Sequence, residues 1–158
     1  MAQADNPIVF AGARLTDQRH VCAFFDREEE WYRVLLPFIH DGFTAKDKSF
    51  HIVDPSSRPA HLERMRQDGM LVDDALGQGH LEVRVWQETY LIDGHFDQQR
   101  MLALIESVLR GGQDQGFPLT RLVAQMEWAL EDLPGVEDLV EYETRLNYVL
   151  PKYRDPVI

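Results

Sequence analysis

"RHVCAFFDREEEWYRVLLPFIHDG", Arg19 to Gly42, is the stretch on which the fold assignment turns. Its first part, "HVCAFF" (residues 20–25), is a short apolar run without clean polar alternation, the pattern of a strand covered on both faces. The period then changes. Trp31, Val34, Leu35 and Phe38 fall at i, i+3, i+4 and i+7, one face of a helix. Asp26 offers an N-cap, and Glu28, Glu29 and Glu30 put negative charge in the first turn, where the helix dipole favours it. The simplest reading of those glutamates is a solvated helix start. Gly42 offers a C-terminal stop, and Pro37 predicts a kink.

The same alternation continues along the chain. "KSFHIVD" (48–54) reads as a second strand ending at Asp54, with Ser56 and Ser57 able to cap a helix that runs to about Gln67. "LVDDALGQG" is a short helix or turn, and "LEVRVW" (81–86) is a third strand. "QETYLIDGH" is an irregular connection. Residues 97–110 form a helix with Met101, Ile105 and Val108 on one face, stopped by Gly111 and Gly112. "TRLVAQMEW" (120–128) is a fourth strand. After Pro134 and Gly135, residues 136–150 form a last helix with Leu139, Tyr142, Leu146 and Val149 inward. The tail "YRDPVI" begins a fifth strand. Alternating strands and helices imply parallel strands joined by right-handed crossovers, an α/β three-layer sandwich with a mostly parallel central sheet. Residues 1–18 read as a loosely ordered lead-in, and 19–158 as a single domain.

In such sheets ligands bind outside the carboxyl ends of the strands. A nucleoside triphosphatase of this layout carries a glycine-rich loop with a lysine after its first strand. Here that place reads "FFDREEEW", without glycine or lysine and with four acids. No G-x-G-x-x-G occurs either. The sequence therefore excludes a standard phosphate loop.

Composition narrows the function further. The 158 residues carry a formal net charge of −11, which argues against a nucleic-acid surface or docking on an anionic membrane. One cysteine excludes an intrachain disulfide and multi-cysteine zinc motifs. No signal peptide and no membrane span are read, so the expectation is a cytoplasmic protein.

"RHVCAFF", "LLPFIHDGF", "ETYLIDGHFD", "AQMEWAL" and "VEYETRLN", in this order and spacing, resemble the DcmR-type sensory domain, MEDS, the methanogen/methylotroph sensory domain. The resemblance runs from about Arg19 to Ile158. It implies an input domain of prokaryotic signalling proteins and transcription regulators. It also implies a degenerate relative of the RecA/circadian-clock ATPase class, a RecA-like topology lacking the phosphate loop. In that class acids end the second strand and the magnesium-holding strand, and Asp54 and Glu127 resemble those positions. Members commonly close with a strand containing a C-x-Y-D pattern. This chain reads "DPVI" just before that place, so the expectation is a truncated or missing last strand and an open sheet edge.

The candidate ligand-binding residues are Glu127, Trp128, Asp54, Trp86, Tyr90, Glu88, His20 and Cys22. Glu127 would anchor a donor group of a ligand; the competing reading is an internal salt bridge to Arg121 or Arg19. Asp54 before Pro55 also suits a turn. Trp86 and Trp128 end strands and line either a pocket or the core. Glu88 and Tyr90 lie on the irregular connection, where Tyr90 and Phe96 also suit stapling the loop to the core. His20 and Cys22 share a strand face. A metal site there needs further ligands, and His51 is the obvious third. The favoured alternative is a buried histidine beside a cysteine acting as a small hydrophobe, and no metal and no cofactor are assigned. His40, His61, His80 and His95 read as surface residues.

The leading functional reading is a non-enzymatic sensory domain. It binds a small organic molecule at the strand ends and signals through a protein partner or homodimer, without touching nucleic acid or membrane itself. The alternatives are an interaction or dimerisation module without a ligand, and, last, a metal-assisted hydrolase using Asp54, Glu127 and His51.

Overall fold

The structure, a computed structural model, describes residues 7–158. It is an α/β sandwich around a parallel sheet. Strand β3 (Lys48–Val53) lies between β4 (Leu81–Val85) and β5 (Thr120–Ala124), and both pairings are parallel. Five helices flank the sheet: α1 (Glu28–Ala45), α2 (Arg58–Gln67), α3 (Val72–Gly77), α4 (Gln98–Asp114) and α5 (Leu139–Val149). All six residues of β3 are buried, as expected of a strand covered on both faces. Alternation sends Val53, with Val83 and Val123, into one core with α1, α2 and α3. Phe50, Ile52 and Leu122 pack into a second core with α4 and α5. These are the three layers anticipated from the strand–helix order.

The edges of the sheet differ from the sequence reading. "HVCAFF" is not an interior strand. Only Arg19–Val21 joins the sheet, through a parallel bridge between His20 and Val157, and Cys22, Ala23 and Phe24 are exposed. Its pairing with the tail segment 155–158 is confined to Arg19 and Val21, whose backbone groups bond to Val157, and the chain leaves the sheet after Val21. That same tail is not a missing strand. Leu122 N–H donates to Pro156 O, Ala124 N–H to Ile158 O, and Ile158 N–H to Leu122 O, so the edge of β5 is covered.

Residues 8–15, within the stretch read as a loose lead-in, form an antiparallel hairpin of β1 (Ile8–Phe10) and β2 (Ala13–Leu15). Ile8 and Phe10 are buried, and the Phe10 ring meets Phe38 of α1 edge-on. Two hydrophobic anchors thus order a segment whose composition gives no strong signal. Residues 1–6 of that lead-in lie outside the described residues.

Helix α1 carries its three glutamates in the first turn, as expected, but they are not merely solvated. Glu29 makes a two-pronged ion pair with Arg64 of α2, and Glu30 pairs with Arg33. Asp26 does not cap the helix; Arg27 holds the N-cap position without a side-chain bond. The helix runs through Pro37 and past Gly42, ending where Lys46 adopts φ 61°. Gly42 has another role. A Cβ there would stand 2.7 Å from Cδ of Arg121, so the glycine makes room for that side chain. Arg121 is buried with Asp47: Nε donates to Asp47 Oδ2 at 2.8 Å and Nη1 to Phe38 O at 2.8 Å. Likewise Gly111 and Gly112 do not stop α4, which continues to Asp114; Gly112 leaves space for Thr120.

Candidate functional site

Two polar centres sit in or beside the sheet. The first lies on β3 and α2. His61, expected at the surface, is fully buried. Its Nε2 is 2.9 Å from His51 Nδ1 and its Nδ1 is 3.3 Å from the Tyr32 hydroxyl. Helix α2 is polar overall, and His61 and Met65 are the residues it turns inward. Burial lowers both imidazoles, His61 to about 4 and His51 well below its ordinary value, where the neighbouring His61 adds to the effect. His51 is therefore committed to His61 and is not the third partner of His20 and Cys22.

The second centre forms where the sheet edge meets α5. His20 is held by backbone bonds to the tail: Val157 N–H donates to Arg19 O, and Val21 N–H to Val157 O. Its Nε2 lies 3.0 Å from Glu143 Oε2, and its Nδ1 lies 3.0 Å from Asn147 Oδ1. The Cys22 thiol points at the same Glu143 oxygen, 3.7 Å away. Glu143 and Asn147 are four apart on α5 and share one stripe of the helix. Burial pulls the His20 imidazole down, but its bonds to Glu143 and Asn147 and the Glu143 charge outweigh that, and the net displacement is upward. Burial and the Glu143 charge push the Cys22 thiol up.

Behind this cluster lies an aromatic core. Tyr90 stands 4.9 Å from Trp128 and Phe96 stands 5.2 Å from Trp128, with Tyr142 edge-on to Phe96 at 5.4 Å. The Tyr90 and Tyr142 rings meet edge to face, 6.4 Å apart. Burial and the charge of Glu143 push both phenols up, and Cys22 adds to the shift on Tyr90.

A groove of about 440 Å³ opens beside His20. Its walls are the segment from Arg14 to His20 and the segment from Asn147 to Asp155. Arg14, Arg19 and Arg154 line it, and Arg154 sits at φ 63°, a left-handed conformation unusual for a side-chain-bearing residue. Asp155, at its base, accepts from Thr120 N–H through Oδ1, while its buried Oδ2 has no partner.

The family model of MEDS, the methanogen/methylotroph DcmR sensory domain, matches residues 19–157. The chain belongs to the MEDS family. The described MEDS domain holds no helix long and apolar enough to cross a membrane. It is also similar to the transcriptional repressor DcmR of Methylorubrum extorquens, 25% identical over 148 residues. That match covers 94% of this chain and 52% of the repressor, so the chain spans about half the length of that relative. No solved structure matches. The family's description gives the MEDS domain a sensory character, and the relative it resembles is a transcriptional repressor.

The structure scatters the eight candidate residues. His20 and Cys22 come together around Glu143. Tyr90 is buried among Phe96, Trp128 and Tyr142. Trp128 is sealed in the aromatic core and Trp86 donates from Nε1 to Gln125 O at 3.0 Å. Glu127 is exposed, and neither suggested salt bridge forms, because Arg121 is taken by Asp47 and Arg19 by Thr16 O and Arg154 O. Asp54 closes a turn, accepting from Ser56 N–H and Oγ–H at 2.6 and 2.7 Å. Glu88 is exposed and accepts from Val85 N–H at 3.0 Å. Of the eight, His20 lines the groove. Sequence reasoning missed Glu143, Asn147 and Asp155. The helical spacing of Glu143 and Asn147 was visible, but not what their stripe faces.

Proposed function

We propose that this MEDS domain is a cytoplasmic, non-enzymatic input module that binds a small organic molecule in the groove beside His20. The observation that carries this reading is the groove's position. It touches Arg19–His20 and Asp155, either side of the point where the N-terminal segment, the tail and β5 are bonded together. A ligand that binds one arrangement of these segments better than another shifts their equilibrium. The polar lining of the groove, with Arg14, Thr16, Asp17 and Gln18 among it, supplies groups that orient a polar ligand. The net charge of −11 supports an output through protein contact rather than through nucleic acid bound by this domain. The same reading takes the scaffold as a RecA/circadian-clock type fold without its phosphate loop. The parallel sheet flanked by helices supports that reading.

A thermal-shift screen of small organic molecules tests the site. A binder at a hundredfold excess over Kd stabilises by about 2.7 kcal/mol. Thr16→Trp, at an exposed groove position, should abolish the shift. A binder whose shift survives Thr16→Trp overturns this placement.

A second reading, a protein-interaction surface, has its own observation. Val140 and Tyr148 lie eight apart on one stripe of α5 and are 77% and 76% exposed, and Phe24 is 95% exposed. Exposed apolar groups on the helix that carries Glu143 suit a partner that reads its position. Sedimentation of the wild type against Val140→Asp/Tyr148→Ser measures it. Identical monomeric behaviour would remove homodimerisation as the output.

A further inference from the structure

We infer that His20, Cys22 and Glu143 form a binding site for a divalent transition-metal ion of the zinc type. The three ligand atoms, His20 Nε2, Cys22 Sγ and Glu143 Oε2, all lie within 4.8 Å of one another. Donors bound to a tetrahedral zinc at about 2.0–2.3 Å stand about 3.2–3.7 Å apart. His20 to Glu143 is 3.0 Å and Cys22 to Glu143 is 3.7 Å, close to those separations. A small rotation of the exposed Cys22 side chain closes the rest. The donor set of one thiolate, one imidazole and one carboxylate suits zinc and excludes magnesium and calcium, which take oxygen donors.

The outer groups are those a metal-bound histidine uses. A ligating imidazole donates its other N–H to a fixed acceptor, which sets the tautomer. Here Asn147 Oδ1 faces His20 Nδ1 at 3.0 Å. The amide is itself oriented, because Asn147 Nδ2 donates to Glu143 O at 3.3 Å. Nδ1–H is thus directed to Asn147, and an ion that replaces the proton between Nε2 and Glu143 meets the Nε2 lone pair. The outer face of the site is open at Cys22, so three protein ligands leave a fourth position accessible to water or a small soft ligand. His20 belongs to the sheet edge and Glu143 to α5, so an ion here would clamp those two elements together.

Co²⁺ titration under reducing conditions tests the site, with Zn²⁺ as competitor. One equivalent of Co²⁺ should give tetrahedral visible bands and a near-ultraviolet thiolate-to-cobalt band, both removed by Zn²⁺. Cys22→Ser should abolish the thiolate band and His20→Gln should weaken binding at least as much. Asn147→Ala, which touches no metal, should weaken it about 10–100-fold. Cys22→Ser changes one atom of an exposed residue, so it decides the matter even if the His20 variant fails to fold. No thiolate band in the wild type, or equal Zn²⁺ affinity in wild type and Cys22→Ser, overturns the site. This outcome is independent of the organic ligand, whose binding is read by Thr16→Trp.

Discussion

Asp155→Asn should stabilise the domain progressively as pH rises, and the size of the effect follows from the burial of one carboxylate. Asp155 is 2% exposed; one oxygen accepts from Thr120 N–H and the other has no partner. Burial pushes its carboxyl up from 3.8 to about 6, helped by Asp47 and opposed by the Thr120 bond and Arg19. In the unfolded chain the group titrates near 3.9. Between those two values the folded state holds more protons than the unfolded state, so stability is lost as pH rises through about 6. At about 1.4 kcal/mol per pH unit, the total over that window is about 3 kcal/mol. Asparagine keeps a carbonyl for Thr120 N–H and nearly the same shape, without the charge. The burial cost of its NH₂ group, about 1–3 kcal/mol, is a constant offset. The quantity to measure is therefore the change in the stability difference between variant and wild type, from about pH 4 to about pH 7. Urea unfolding across that range should show the difference moving by about 3 kcal/mol in favour of Asp155→Asn. A difference independent of pH would refute the reasoning.

Three further outcomes are expected. Below about pH 6.5 the unfolded chain protonates His51 and His61 while the folded state excludes both protons. Stability should then fall with pH by about 1.4 kcal/mol per unit for each histidine, down to about pH 4 for His61, and His61→Phe should flatten that slope in the same unfolding series. Gly42→Ala should cost about 1–3 kcal/mol in urea, because its Cβ meets an Arg121 side chain pinned by Asp47 and Phe38 O; a neutral result would show that Arg121 is free to move. Arg121→Ala should cost about 3–5 kcal/mol by leaving the Asp47 carboxylate buried alone, and Asp47→Asn in the same background should recover part of that loss in a double-mutant cycle.

Much of the architecture was legible because period is local. The i, i+3, i+4 spacing of α1 and the apolar run of β3 each follow from residues a few positions apart, and their alternation implies the layered parallel sheet. Stops were less legible. Gly42, Gly111 and Gly112 look like helix ends, yet Gly42 and Gly112 serve contacts with Arg121 and Thr120 from β5. The hairpin at residues 8–15 was hidden because two buried side chains, Ile8 and Phe10, are too few for a pattern.

The sequence by itself determined the α/β class, the absence of a phosphate-loop motif, the sensory family and the pairing of His20 with Cys22 on one short segment. Tertiary structure alone decided what those two residues meet. His51, on the next strand in sequence order, turns to His61 on α2, whereas Glu143 and Asn147 arrive from more than a hundred residues away. The reason is physical. Local spacing fixes which residues share a face, but the packing of α5 against a three-residue sheet edge fixes which faces touch, and no local pattern encodes that pairing.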